Sequence, residues 1–390
     1  MKRKFKSKFN KFENKDNRNN RNIWLLGWSS FFNDVGSEMI TPILPFLVIS
    51  LGGGGLAIGA LSGIREGLSS IVKLFGGWYS DKIGKRIPFV FLGYLVSVVS
   101  RFLLILANSW QWVLGFVSIE RLGKARDAPR DALISQSTKE KGKGFGIQQM
   151  LDTGGAITGS LIVLFLLWRL TLNFKLIILV AGAVSVFSLL PLFFVKEPKI
   201  KPQKKSLFKG IKLLDKKLKY FIFVMAVFTL VNFGLYMFLI LRAKEITQSM
   251  IIAIALGVLF NFIWAGFSIP FGSLSDKIGR KKILMAGYIL FLFVCIGFIF
   301  SKSVLSLAVL FIAYGLIWAI MNTAPRALIS DLSKTMRGTA YGFFQFVMGV
   351  VSIIGGLIAG FLWDISPEIM FAYMASVAVL SIILFYFVKE

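Results

Sequence analysis

The chain reads as an all-α membrane protein, with twelve transmembrane helices in two six-helix pseudo-symmetric bundles. Three observations predict this. Hydrophobic residues make up 56% of the 390 and the mean hydropathy is +0.74, whereas soluble domains are about 45–50% apolar. A charged turn, Gly77-Trp78-Tyr79-Ser80-Asp81-Lys82-Ile83-Gly84-Lys85-Arg86, returns as Gly272-Ser273-Leu274-Ser275-Asp276-Lys277-Ile278-Gly279-Arg280-Lys281. The basic residues crowd into alternate loops between the apolar stretches.

Residues 1–22 are rich in Lys and Asn and poor in apolar side chains; such a segment is expected to be unstructured or to lie on lipid headgroups. The first half, 23–195, holds six apolar runs at 23–50, 55–80, 87–107, 111–135, 145–168 and 174–195. Each is long enough for the roughly 20 residues that a bilayer requires, and without water such spans must be helices. The segment 196–219, with ten lysines and Pro198 and Pro202, reads as a linker; Leu207, Phe208, Ile211, Leu213, Leu214 and Leu218 could give it an amphipathic, interfacial helix. The second half, 220–390, holds runs at 220–242, 249–275, 283–301, 304–330, 338–362 and 368–388. A second repeat supports the duplication. Ala128-Pro129-Arg130 leading into Ala132-Leu133-Ile134-Ser135 recurs as Ala324-Pro325-Arg326-Ala327-Leu328-Ile329-Ser330, with Asp131 the extra residue in the first copy. One extra helical residue rotates the rest of the helix by about 100°, so the halves are not expected to present the same face there. Internal symmetry of this kind is the mark of secondary transporters.

The net charge of +26 alone would suit nucleic acid, but its distribution does not. Basic residues crowd Lys2–Arg21, Lys82–Arg86, Lys139–Lys143, Lys196–Lys219 and Lys277–Lys282, while Leu51-Gly52-Gly53-Gly54-Gly55 and Asn108-Ser109-Trp110 carry none. Under the positive-inside rule both termini are cytoplasmic, in the cell membrane of a prokaryote. The lipid bilayer is the expected partner, with no nucleic acid. The sole cysteine, Cys295, permits no internal disulfide, and the absence of histidine excludes His relays and His metal sites. No cofactor and no metal are expected, and the chain is read as a monomer.

A charge at the bilayer centre costs about 2.5–3.5 kcal/mol, so such residues face a cavity or a partner. The first half holds Asp34, Glu38, Arg65, Glu66, Lys73, Arg101, Glu120, Arg121, Lys124, Arg126, Asp127, Arg130, Asp131 and Asp152, the second Arg326 and little else. At about 1.5 Å per residue, Asp34, Arg65, Glu66, Glu120 and Arg121 all fall about 14–16 Å from their span ends. Asp34 and Glu38, four apart, share a helix face. Asp34, Glu38, Arg65, Glu66, Glu120 and Arg121 are therefore the candidate coupling and cavity charges. A static ion-pair network is the plainer alternative. Glu120, Lys124, Asp127 and Asp131 follow helical spacing and form one stripe on span four, with Arg126 and Arg130 on an adjoining face.

Gly154, Gly155 and Gly159 on span five, and Gly355, Gly356 and Gly360 on span eleven, read as packing seams. Asn232, Asn261, Asn322 and Gln345 are the polar side chains deep in the second half and are candidates for substrate hydrogen bonds. Trp264, Trp318, Tyr236 and Phe346 could line an apolar cavity or simply pack.

The repeated turns resemble the signature Gly-x-Leu-Ala-Asp-Arg/Lys-x-Gly-Arg/Lys-Arg/Lys of the major facilitator superfamily. Tyr79 and Ser80 replace Leu and Ala in the first copy, and Ser275 replaces Ala in the second. The resemblance covers all twelve spans and implies two bundles around a cavity that opens alternately to each side. Phe31 to Pro45 and Glu120 to Asp131 resemble a drug-efflux-like prokaryotic branch. Arg121 is the best match to the fourth-span antiporter arginine, with Ala125 at its Gly position. Gly146, Gly155 and Gly159 match the start of the span-five motif, with Ser160 in place of Pro. The resemblance further implies a cytoplasmic gate made of Gly77, Asp81, Gly84, Arg86, Lys124, Arg126, Asp127, Arg130, Asp131 and Asp152. The second-copy turn (Gly272, Asp276, Gly279, Arg280), with fewer charges near it, reads as structural.

The resulting expectation is a secondary transporter, an antiporter driving proton-coupled efflux of a small organic compound. Uptake, or an inorganic anion held by Arg65, Arg101 and Arg121, is the alternative. A polytopic enzyme or receptor, and ATP-driven pumping, are disfavoured because the sequence has no P-loop, no Ser/His arrangement and no large soluble segment.

Overall fold

The computed structural model describes residues 2–138, 141–169, 173–197, 214–232, 234–332 and 337–388, and every regular element among them is helical. In the first half, α1 (Lys2–Ile40) and α2 (Leu44–Ser50) make span one, α3 (Gly55–Ile83) span two and α4 (Ile87–Leu104) span three. Span four is α5 (Trp110–Leu122), a 3-10 turn (Gly123–Arg126) and α6 (Asp127–Ser137). Spans five and six are α7 (Lys141–Arg169) and α8 (Phe174–Val186), the latter followed by a 3-10 turn (Pro191–Phe194). In the second half, α9 (Lys216–Asn232) and α10 (Leu235–Thr247) share span seven. Then come α11 (Met250–Ile278), α12 (Arg280–Phe300), α13 (Val304–Leu332), α14 (Arg337–Ile365) and α15 (Pro367–Tyr386). The face that carries the Asp81 and Asp276 turns is called the basic face, and the opposite one the far face.

The two halves repeat one packing scheme. In the first, α1 packs on α7 and α8, α3 on α5, and α4 on α5 and α8; in the second, α9 packs on α14 and α15, α11 on α13, and α12 on α13 and α15. The halves meet along α3 with α14 and along α7 with α11, which are equivalent pairs under the same symmetry. Large apolar side chains such as Phe300, Leu305 and Ile269 are left exposed, as expected of a surface solvated by acyl chains rather than water.

Nine helical segments among the described residues are long and apolar enough to cross a membrane. The three remaining spans, one, two and four, hold most of the charges. Their apolar signal is diluted by Asp34 and Glu38, by Arg65, Glu66 and Lys73, and by the run from Glu120 to Asp131.

Several boundaries differ from expectation. The α1 backbone is helical back to Lys2, through the tail expected to lack structure. Most of the linker, including Leu207, Phe208, Ile211 and Leu213, lies outside the described residues, whereas Leu214 and Leu218 are buried against the core. Span seven is interrupted after Asn232, where Gly234 takes a left-handed φ of 86° that an L side chain resists. Span four is not one continuous stripe: its helix tightens to 3-10 between Gly123 and Arg126. The ring of Pro129 would clash with the carbonyl of Ala125 in an unbroken α-helix. Counting back from the shared Ala-Pro-Arg, α13 has Ala319 where span four has Gly123, and α13 runs unbroken through Pro325.

The seam between α3 and α14 is made by glycine on both sides. Gly55, Gly59, Gly63 and Gly67 recur every fourth residue on α3. A Cβ at Gly59 would overlap the Gly356 carbonyl, one at Gly356 would overlap the Gly59 carbonyl, and Gly67 and Gly349 show the same reciprocity. Gly155 and Gly159 bring α7 onto the carbonyls of Phe31 and Val35 on α1, and Gly355 brings α14 onto Leu230 of α9. Substituting Gly59→Val or Gly356→Val overpacks this contact, which typically costs about 1–3 kcal/mol. Both variants are expected to lower the thermal midpoint of detergent-purified protein by several degrees. Gly266→Ala, where an added Cβ meets nothing within 4 Å, is expected to leave it unchanged.

Candidate functional site

Arg101 on α4 and Glu120 and Arg121 at the end of α5 form the centre of the charged cluster. Glu120 Oε1 lies 3.1 Å from Arg101 Nη2, and its Oε2 lies 2.8 Å from Arg121 Nη2. Arg101 Nη1 also donates to Ser185 Oγ on α8. Arg101 is only 2% exposed, so its charge depends on these partners. Arg65 on α3 donates from Nη2 to Thr41 Oγ1 at 2.8 Å, and that hydroxyl stands 3.5 Å from Glu38 Oε1. Asp34 accepts from Asn33 Nδ2 at 3.1 Å. A void of about 10 Å³, lined in part by Ser37, Arg65, Ser100, Arg101 and Glu120, is the size of one water.

The six candidate cavity charges are therefore brought together. Arg121 pairs with its neighbour Glu120. It stays within Coulombic range of Glu38 and Glu66, and Arg65 of Glu38, Glu66, Glu120 and Arg121.

Nearer the basic face a second network is centred on Asp127 and Arg130. Lys73 Nζ lies 3.1 Å from Asp127 Oδ2, and Arg130 contacts Asp127 at 3.9 Å, Asp131 at 3.0 Å and Asp152 at 4.0 Å. Arg130 Nη1 also donates to Ser30 Oγ, which shares a 2.8 Å hydrogen bond with Tyr94. Gln148 donates to Asp152 at 2.7 Å. Lys124 is half-buried, and its charged neighbours include Asp127 and Asp34. Arg126 differs from the expected gate position: it is 1% exposed and packed inside the first half. Its Nη1 donates to Gly93 O, Ser97 Oγ and Gly123 O at 3.1, 2.8 and 2.9 Å, with the guanidinium 4.2 Å from the Tyr94 ring centroid. By engaging the Gly123 carbonyl it also holds the 3-10 turn of span four in place.

The first-copy turn lies beside span four. Arg86 Nη2 lies 2.8 Å from Asp81 Oδ1, and Gly84 ends α3 with a φ of 75°. The close approach to span four belongs to Gly76, whose added Cβ would overlap the Ala125 carbonyl. At Gly77 a Cβ would reach only Ala128 Cβ, at 3.0 Å. Glu197, beyond span six, accepts from the backbone N–H of Arg86 and, at 3.2 Å, from that of Ile87, capping α4. In the second copy Gly279 again has a positive φ, 101°. Asp276 and Arg280 pair locally at 3.4 Å, with the Asp276 side chain 67% exposed. Gly272 is half-buried. Lys281 donates to the carbonyls of Tyr386 and Val388 at 2.8 and 2.6 Å. Each turn is thus tied to the last helix of its half, the first through a carboxylate on N–H groups and the second through an ammonium on carbonyls.

Opposite the charges the second half presents aromatic rings. Phe260 lies 5.1 Å from Tyr236, 5.2 Å from Tyr314 and 6.1 Å from both Trp264 and Trp318, with Trp264 and Trp318 themselves 5.3 Å apart. Tyr236 is within Coulombic range of Glu38 and Arg65, and Tyr314 of Glu66, so this cluster faces the charged wall. Phe346 is half-buried outside it. Of the four polar candidates, Asn261 Nδ2 donates across the halves to Ser160 Oγ at 3.2 Å, and Asn322 folds back onto Trp318 O at 3.0 Å. Asn232 is buried at the break in span seven, its Oδ1 without a hydrogen-bond partner. Gln345 is half-buried. The side chain of Arg326 lies outside the described part of the molecule.

The model of the Major Facilitator Superfamily matches residues 26–268 and 222–390. The chain belongs to this superfamily. It is 48% identical over 383 residues to an MFS-type transporter of Methanocaldococcus jannaschii, covering 96% of each chain. It is 24% identical over 357 residues to the multidrug resistance protein MdtH of Baumannia cicadellinicola, covering 86% of this chain and 83% of that protein. Among solved structures, the nucleoside transporter NupG superposes with a TM-score of 0.83 at 14% identity, over 95% of this chain and all of that one. A bacterial homolog of the human lysosomal transporter Spinster gives 0.72 at 14% identity, over 95% of both chains. These two likenesses show the fold. The chain is a membrane transporter and not an enzyme.

Sequence reasoning missed Thr41, Ser185, Ser30, Tyr94 and Glu197, the neutral or peripheral partners that complete each charge. It also missed Gly55, Gly59, Gly63 and Gly67, although their four-residue spacing is the small-residue pattern of close helix contact. Removing one partner of a buried ion pair typically costs about 3–5 kcal/mol, because the other is left uncompensated. Glu120→Ala is therefore expected to destabilise the protein strongly in a thermal-shift assay. Adding Arg101→Met to that variant should recover part of the loss.

Proposed function

We propose that this chain is a secondary active transporter that works by alternating access and couples proton movement to export of a small organic compound. The observation that carries this reading is the pairing of a charged wall (Asp34, Glu38, Arg65, Glu66, Glu120, Arg121) with an aromatic wall (Tyr236, Phe260, Trp264, Tyr314, Trp318). A path opening between two such walls suits an amphiphile: rings stack and attract cations, while carboxylates select charge. Asp34 and Glu38 are one turn apart and half-buried. They can hold either a proton or a cationic group, and this exclusion is the coupling. The relation to MdtH proteins, named for multidrug resistance, supports export.

In this reading the basic face is cytoplasmic, both termini lie there, and the membrane is the cell membrane. The network of Asp81, Arg86, Lys124, Asp127, Arg130, Asp131 and Asp152 is the cytoplasmic gate. Its ion pairs named above join residues of the first half, so charges are available to bind the second half when that side closes. A second reading, transport of an inorganic anion, draws on Arg65, Arg101 and Arg121 meeting around Glu120, with Nε of Arg101 and of Arg121 buried and unpartnered.

Proteoliposomes loaded with fluorescent amphiphilic dyes, under an imposed pH gradient, test the coupling. Wild-type flux is expected to follow the gradient, and Asp34→Asn and Arg121→Ala to lose it by about a hundredfold or more, the usual contribution of a positioned proton-transfer group. Full gradient-driven flux in both variants would refute the coupling assignment. For orientation, single cysteines at Gly53 and Lys205, with buried Cys295 replaced, are expected to react with an impermeant maleimide from opposite sides of the membrane.

A further inference from the structure

We propose that Asp364, at the far end of α14, is a releasable latch that holds the far face closed by capping α3 across the boundary between the halves. Its Oδ1 accepts from the Gly55 N–H at 2.5 Å and its Oδ2 from the Leu56 N–H at 2.8 Å. A helix N-terminus has four N–H groups without intrahelical partners and carries partial positive charge, so a carboxylate is its best cap. None is available locally. The loop before α3 is Leu51-Gly52-Gly53-Gly54-Gly55, and the N-cap residue Gly54 has no side chain to offer.

The matched helix of the second half is built differently. The N-cap of α11 is Ser249, whose own hydroxyl accepts from the Ile252 N–H at 3.3 Å. A cap needed only for folding could be local, as it is there. In α3 the cap comes from the opposite half, so it exists only while the halves touch at this end.

The surroundings fit a contact that forms and breaks. A Cβ at Gly55 would lie 2.8 Å from Asp364 Oδ1 and 2.7 Å from the Gly360 carbonyl, and one at Gly54 would lie 3.0 Å from Asp364 Oδ1. The glycine run therefore permits the approach as well as lacking its own cap. Asp364 and Leu56 are exposed at the rim, so water replaces each partner when the halves part. The net cost of opening is then that of one helix cap, small enough for a cycling protein to meet. Asp364 is a positioning residue for the transport cycle; nothing here asks it to touch substrate.

The latch rests on the alternating-access reading, but it is tested without substrate or coupling ion. Spin labels are placed on the full chain at Asn108 and Lys302, exposed far-face positions in matched loops of the two halves, and their distance distribution is measured in lipid nanodiscs. Asp364→Ala is expected to raise the far-side-open population by about tenfold, the equilibrium equivalent of one lost cap. Asp364→Asn, which keeps an acceptor but loses the charge, is expected to fall between. Leu56→Pro removes one donor from the other side of the bond, at a first-turn position that tolerates proline, and should shift the distribution the same way. It also serves as the readout if Asp364→Ala fails to yield monodisperse protein. Distributions unchanged from wild type in well-folded Asp364→Ala or Leu56→Pro would overturn the latch. An intact latch response with no proton-driven flux would instead count against the coupling assignment alone.

Discussion

The arrangement of this protein depends on a single constraint: a guanidinium buried among apolar helices must have a carboxylate beside it. Arg101 is almost wholly enclosed, and Glu120 is held between it and Arg121. Once span four supplies Glu120, spans three and four are joined at that depth, and Ser185 draws in span six. Arg126 repeats the pattern further along span four, with Asp127 Oδ1 4.0 Å from its Nε, neutral acceptors on its Nη1 and the face of Tyr94 beside it. The first half is thus assembled around its charges. The second half is assembled around stacked rings, including Phe228 on Tyr288 and Phe298 on Phe371.

Duplication has therefore preserved a frame while the chemistry has separated. Equivalent helices pack in equivalent pairs, and both signature turns rely on a glycine with positive φ. The interactions made by those turns are opposite in sign, Glu197 on N–H groups in one and Lys281 on carbonyls in the other. The two copies share a backbone geometry and a tie to the sixth helix. In the first half the charge comes from beyond span six, and in the second from the turn itself.

The sequence made the frame legible because hydropathy, loop charge and repeats are properties of single positions summed over long windows. The all-helical, duplicated frame could be read that way. Pairing could not. Which of Asp34 and Glu120 would hold Arg121 depends on side-chain direction, and the 3-10 turn at Gly123–Arg126 reset that direction for everything beyond it on span four. Asp364 was opaque for a different reason. An aspartate near the end of an apolar run looks like a solvated terminus, and only the fold brings it to a helix start more than 300 residues away. The glycines of α3 were legible in principle, because their four-residue spacing is a local pattern.

The α3 helix connects these features. Arg65 and Glu66 belong to the charged wall, while Gly63 and Gly67 lie against Ile353 and Gly349 of α14. Positions two apart on a helix are separated by about 200°, so Arg65 projects from nearly the opposite side of α3 to those glycines. One rigid element thus has a face that senses charge and a face that contacts the other half. A change of charge at Glu38 or Glu66 alters the force on Arg65, and α3 can respond only as a body because its helix is unbroken from Gly55 to Ile83. Any tilt or slide is delivered to a seam where backbone meets backbone at Gly59–Gly356 and Gly67–Gly349. A seam padded with long side chains would dissipate the same motion. Glycine at both surfaces makes the contact short-ranged and intolerant of partial separation, which favours two discrete arrangements over a continuum. On the proposed coupling, the two faces of this single helix link charge to conformation.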